Sequence, residues 1–104
     1  MKFAPMKEIL KLAEEQQVAY GAYVTVSYET ALAAIEAGNE LNCPVIFITG
    51  TDCCDLMGGF EGTVETVKRA AANAQIPIAL HLDHCRTYEE CVAAIQAGYS
   101  SVMI

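Results

Sequence analysis

His81, Asp83 and His84 stand within one short stretch at the end of an apolar run, Pro77-Ile78-Ala79-Leu80-His81-Leu82-Asp83-His84-Cys85. An aspartate beside a histidine can hold a proton and a metal ion at neighbouring atoms, because imidazole binds divalent metals and a carboxylate exchanges protons. The run itself reads as a buried strand. Alternation puts Ala79, His81 and Asp83 on one face and Ile78, Leu80 and Leu82 on the other. His84 falls where the strand gives way to a loop, so its side chain need not follow that alternation. In a parallel sheet, the carboxyl ends of the strands are where a scaffold presents chemistry to a ligand. The plainer alternative is a histidine pair satisfied by hydrogen bonds at a strand end.

Such residues need a frame, and the flanking pattern supplies one. Pro5 to Gln17 reads as a helix, with Met6, Ile9, Leu10 and Ala13 on one face. Val18 to Val26, rich in β-branched and aromatic residues, reads as the first strand, with Gly21 marking a close approach of another backbone. Ser27 caps a helix from Tyr28 to about Leu41, for which Ala31, Leu32, Ile35 and Leu41 are candidate buried positions. Val45 to Thr49 is a continuous apolar run, as expected for a strand covered on both faces. Gly50 to Gly62 reads as a long loop broken at Gly58-Gly59, and a loop of that length points to function. Thr63 to Ala74 is the next helix, and Pro77 opens the strand described above. Thr87 and Glu90 have capping-box spacing for a helix through about Ala97, with Val92 and Ile95 inside and Gly98 at its C-terminus. Ser101-Val102-Met103-Ile104 reads as the start of a fourth strand.

Strands alternating with helices imply parallel pairing through right-handed crossovers. A flavodoxin-like open sheet would satisfy this order, but no glycine-rich phosphate turn follows the first strand. Four such strands also make half of an eight-stranded barrel, whose catalytic groups lie at the carboxyl ends of its strands. Both outer strands would otherwise be unpaired edges. The expected fold is therefore α/β, the N-terminal half of a (β/α)8 TIM barrel: four parallel strands with an N-terminal helix. Residues 1–104 are expected to be an incomplete domain.

Composition narrows the partners. With 54% hydrophobic and 18% charged residues, the chain is not of the disordered class. A net charge of -7 argues against nucleic acid or an anionic membrane surface. No apolar run approaches the roughly 20 residues that span a bilayer, and the N-terminus lacks the apolar core of an export signal, so the expected compartment is the cytoplasm. The cysteine count is odd, with no Cys-x-x-Cys pair, so neither a disulfide framework nor a zinc knuckle is indicated. The adjacent pair Cys53-Cys54 leaves a redox module open as an alternative.

Several segments resemble the class II, metal-dependent ketose-bisphosphate aldolases of the fructose-bisphosphate and tagatose-bisphosphate kind. They are Gly21-Ala22-Tyr23, Leu41-Asn42-Cys43-Pro44-Val45-Ile46, Met57-Gly58-Gly59, Ile78-Ala79-Leu80-His81-Leu82-Asp83-His84, and Ala94-Ile95-Gln96-Ala97-Gly98-Tyr99-Ser100-Ser101-Val102-Met103-Ile104. The last two are the most specific. The resemblance implies a barrel with zinc at its carboxyl-terminal mouth and a second divalent ion in some members. It also implies a sugar-phosphate substrate, fructose 1,6-bisphosphate foremost, a place in glycolysis, and a homo-oligomer. His84 matches the family's first metal-binding histidine. Asp83 matches its catalytic acid, which exchanges the proton of the C4 oxygen. His81 matches a histidine expected to orient these neighbours.

Three positions depart from the family. Val24 and Val26 stand where asparagines are usual, and Gly50 where a serine contacts substrate phosphate; Thr49 and Thr51 flank it. These departures keep open a diverged aldolase-like barrel that binds or regulates without cleaving. One histidine is also short of the three protein ligands usual for catalytic zinc. The chain by itself is therefore expected neither to hold zinc tightly nor to cleave sugar phosphates.

Overall fold

The strand–helix rhythm becomes a four-stranded parallel sheet in the computed structural model, which describes residues 1–104. β1 (Ala22–Val24), β2 (Val45–Thr49), β3 (Ile78–Leu82) and β4 (Ser101–Val102) lie side by side in chain order. Parallel neighbours require crossovers. α2 (Tyr28–Leu41) supplies the first, α3 (Thr51–Leu56) with α4 (Gly59–Ala70) the second, and α5 (Tyr88–Ala97) the third. In register, Val45 faces Ile78 and Thr49 faces Leu82 across β2 and β3, while His81 faces Ser101 across β3 and β4.

The two faces of the sheet bury different sets. Val45, Phe47, Ile78, Leu80 and Leu82 belong to the main core, with Ala31 and Ile35 of α2, Val64 and Val67 of α4, and Cys91 and Ala94 of α5. On the opposite face, Ile46 and Ala79 lie under Ile9 of α1 (Met6–Gln16). The chain ahead of α1 is tied to the same strand, since the Ala4 amide donates to the Ile78 carbonyl at 2.7 Å. With helices on both sides, β2 and β3 can be apolar throughout. α1 is anchored at the amino-terminal half of the inner face, so His81 and Asp83 lie beyond it, toward the strand ends. Four parallel strands in chain order, with every crossover helix on one face, are the architecture of half a β/α barrel, and α1 covers the amino-terminal part of the other face.

Several local expectations need correction. The segment from Gly50 to Gly62 is largely helical. α3 occupies Thr51–Leu56 and α4 already starts at Gly59, so only the junction between them is loop. Gly58 and Gly59, at φ 89° and 81°, make that break, which L side chains resist. α3 lacked a periodic signal because only Cys54 of its six residues is buried. Gly62 is needed inside α4, since a Cβ there would run into the Met57 carbonyl. α4 also ends at Ala70 instead of Ala74.

β1 is three residues long, because an edge strand has only β2 to pair with. Gly21 makes room for the ring of Tyr23 two residues on, not for a neighbouring backbone. Leu41 and Ile95 are exposed; Gly38, packed against Val45 and Cys43, and Ala94 take the interior positions of their helices.

Candidate active site

The turn after β3 brings Asp83 and His84 together. Strand geometry alone would send consecutive side chains to opposite faces. His84 escapes it by adopting a left-handed backbone, φ 54°, a conformation in which histidine is enriched several-fold over most residues. Its Nε2 then lies 3.6 Å from Asp83 Oδ2. The His84 side chain is 82% exposed and that of Asp83 33%, so both reach solvent.

The backbone on either side is fixed. The Asp83 amide donates to Thr49 O of β2 at 2.9 Å, and the Cys85 amide to Met103 O at 2.7 Å. These bonds continue the sheet ladder past the last strand residues and lock the pair to the carboxyl end of the sheet. Asp83 and His84 line an open cleft of about 370 Å³ with Gly50, Thr51, Cys53 and Arg86. A slightly larger cleft of about 410 Å³, beside Lys2 and Lys68, contains no acid–base pair. Volume alone therefore does not locate the chemistry.

His81 occupies the same face as Asp83 but sits deeper. Its Nδ1 makes a 2.6 Å hydrogen bond with Ser101 Oγ, across the β3–β4 pairing. Burial pushes its pKa below the ordinary imidazole value, partly offset by the Asp83 carboxylate. Neutral imidazole is therefore favoured at neutral pH, with one ring nitrogen donating and the other accepting. His81 thus ties its strand to β4, and no hydrogen bond links it to Asp83 or His84.

Three features of this region escaped the sequence pattern. Thr51 Oγ1 is buried at the cleft wall without a hydrogen-bond partner. Arg86 lies on the cleft and pairs with Glu90, Nη2 to Oε1 at 2.7 Å and Nε to Oε1 at 3.0 Å. That pairing holds the Glu90 carboxyl below its usual range and raises Arg86. Behind the cleft wall, Tyr99 Oη lies 2.7 Å from Thr49 Oγ1 and 3.0 Å from Cys54 Sγ, a buried cluster joining β2, α3 and the entry to β4. Burial, with Cys54 alongside, pushes the Tyr99 phenol well above its ordinary value. Cys53 and Cys54 are thereby separated, the first half-buried at the cleft and the second inside this cluster. Cys85, buried near Cys91, is pushed up to about 11.

A catalytic zinc ion usually takes three protein donors. The turn offers one solvent-facing imidazole, and no group of three or more His, Cys, Asp or Glu side chains is arranged to hold a metal ion. The donor set within these residues does not fit zinc by itself. Isothermal titration of this chain with zinc chloride is expected to show no stoichiometric binding tighter than the high-micromolar range. A sub-micromolar site at one ion per chain would contradict this.

Comparison with known proteins places the architecture. A family model, fructose-bisphosphate aldolase class II, matches residues 4–104. A fructose-bisphosphate aldolase of Staphylococcus epidermidis is 40% identical, over 100% of this chain and 37% of its own length. A 6-phospho-5-dehydro-2-deoxy-D-gluconate aldolase of Bacillus licheniformis is 38% identical, again over 100% of this chain and 36% of its own. The crystal structure of the YdjI aldolase from Escherichia coli K12 superposes with a TM-score of 0.84 at 25% identity, covering 98% of this chain and 40% of that one. The chain thus spans little more than a third of the length of these curated relatives. A match along nearly every residue, with Asp83 and His84 at the open ends of a parallel sheet, means that the chain belongs to the class II fructose-bisphosphate aldolase family.

Proposed function

We propose that these residues form the first half of the active site of a zinc-dependent aldolase. It cleaves a ketose 1,6-bisphosphate, foremost fructose 1,6-bisphosphate, into dihydroxyacetone phosphate and glyceraldehyde 3-phosphate. The observation that carries this reading is the Asp83–His84 pair, side by side and solvent-facing at the carboxyl end of β3. Breaking the C3–C4 bond requires the C4 hydroxyl to lose its proton and leaves the electron pair on the dihydroxyacetone phosphate half. Asp83 is the base that accepts that proton, and in condensation it returns it. His84 would be this chain's one ligand to a divalent metal, which when bound would supply Lewis-acid stabilisation for the enediolate charge. The remaining donors would come from residues beyond these 104. His81, neutral and bonded to Ser101, keeps the inner face of β3 in register beneath the pair. A homo-oligomer working on a sugar phosphate in the cytoplasm is part of this proposal, as the family's expected setting.

One set of observations favours a second reading. Val24, the last residue of β1, and Val26 two residues on are exposed apolar residues, and Gly50 leaves open space where a polar side chain would fit. A barrel altered there would bind a phosphorylated ligand without cleaving it. The test is an assay for dihydroxyacetone phosphate release by the chain completed with the rest of its barrel, offered fructose and tagatose 1,6-bisphosphates. Release that stops with a chelator and returns with zinc is expected. Ligand binding without release, at full metal occupancy, would favour the second reading.

A further inference from the structure

The turn that carries His84 is held by a residue outside the cleft. Left-handed backbone at a non-glycine residue is disfavoured and persists only where the surroundings determine it. Two anchors of this turn are the sheet-ladder bonds at Asp83 and Cys85. The third is not a sheet bond. The Arg86 amide donates to Glu90 Oε2 at 2.8 Å, while Oε1 of the same carboxylate takes the Arg86 guanidinium. Capping-box spacing would have sent the Glu90 carboxylate back to the amide of the cap residue, Thr87. It reaches one residue further upstream, while Thr87 Oγ1 still accepts from the Glu90 amide at 3.1 Å. The first turn of α5 is therefore closed in one direction and turned outward in the other, onto the residue two beyond His84.

We infer that Glu90 is a positioning residue for the Asp83–His84 pair: its carboxylate clamps the Arg86 backbone and so keeps the turn in the conformation that sets His84 beside Asp83. The catalytic meaning of this clamp rests on the aldolase reading above; the clamp itself does not. The backbone contact matters more than the ion pair. The Arg86 side chain is 66% exposed, and exposed ion pairs contribute little, whereas a charge-assisted bond to a backbone amide fixes geometry.

Amide hydrogen exchange followed by NMR on the 104-residue chain tests the inference, with Glu90→Ala, Glu90→Gln and Arg86→Ala compared with the parent. In Glu90→Ala, exchange at Arg86 is expected to accelerate by about tenfold or more, the scale of one lost hydrogen bond. The Cα and Cβ shifts of His84 should move away from left-handed values, while Phe47 and Leu80 in the central strands keep their protection. Glu90→Gln retains an oxygen for the Arg86 amide and should restore much of the protection. Arg86→Ala retains the backbone bond and should exchange nearly as the parent does.

Unchanged exchange at Arg86 in Glu90→Ala would overturn the inference. So would acceleration shared equally by Phe47 and Leu80, since Glu90 would then only stabilise the whole domain. An Arg86→Ala effect as large as that of Glu90→Ala would overturn the primacy of the backbone contact. None of these outcomes depends on catalysis. In the completed enzyme, the same Glu90→Ala change should lower kcat by about 10-fold with a smaller effect on KM, the size usual for groups that orient a site. A clamp seen by exchange, with no aldolase activity in the completed, metal-loaded enzyme, would sink the aldolase reading and leave the clamp standing.

Discussion

Asp83→Asn is expected to lower kcat of the completed aldolase by about 100- to 10,000-fold, the range for removing a positioned acid–base group. The substitution is nearly isosteric. The Asp83 amide still donates to Thr49 O, because that bond is made by the backbone. An amide oxygen can still face His84, but it cannot take the C4 hydroxyl proton at neutral pH. KM should therefore change less than kcat, the pattern for an interaction made chiefly in the transition state. Zinc content should stay near that of the parent, because the proposed role is proton exchange and not ligation. Steady-state kinetics with metal analysis on the same preparations would decide it. A kcat within threefold of the parent would remove Asp83 from the chemistry, and a loss of zinc in step with activity would recast it as a ligand.

Phe47→Ala should be the most damaging single truncation for stability. Phe47 is fully buried in β2, between Tyr23 of β1 and Leu80 of β3 in register, and belongs to the core under the crossover helices. Emptying such a site costs roughly 3–5 kcal/mol, counting lost transfer energy and the cavity left behind. Whole domains are stable by only about 5–15 kcal/mol, so this is a large share of the total. Urea unfolding followed by circular dichroism would measure it, with Val24→Ala as control. Val24 lies on the exposed edge strand and should shift stability by no more than about 0.5 kcal/mol. Similar losses for the two variants would mean that the sheet does not bury its outer face in solution as it does in the structure.

The contrast between Phe47 and Val24 also shows how legible the fold was. β2 and β3 could be read residue by residue, because a strand covered on both faces must be apolar throughout, and few other segments of that length are. β-branched composition overextends β1, because it marks residues able to pair but not whether a neighbour exists to pair with them. α3 leaves no signal for the opposite reason. It buries one side chain, so it had no apolar period to display, and its two flanking glycines looked like the whole of a loop. Helical spacing places Leu41 and Ile95 inside, yet Gly38, packed against Val45, and Ala94 in the core take those interior positions.

For the site, the order of residue types was enough to single out His81, Asp83 and His84 and to set alternate faces for the strand beneath them. That much follows from the two-residue repeat of an extended chain, which is local. The meeting of Asp83 with His84 depended on a left-handed turn, and that turn is held by a β2 carbonyl, a carbonyl beyond β4 and a carboxylate on α5. Those partners lie up to 34 positions away along the chain, as Thr49 does from Asp83. The unpartnered Thr51 hydroxyl is of the same kind, whereas Glu90 and Arg86 are four residues apart and only the choice of Arg86 over Thr87 escapes their spacing. Local spacing decides which atoms are available on a strand or helix. Which of them come within bonding distance depends on how the elements pack, and only the folded chain specifies that.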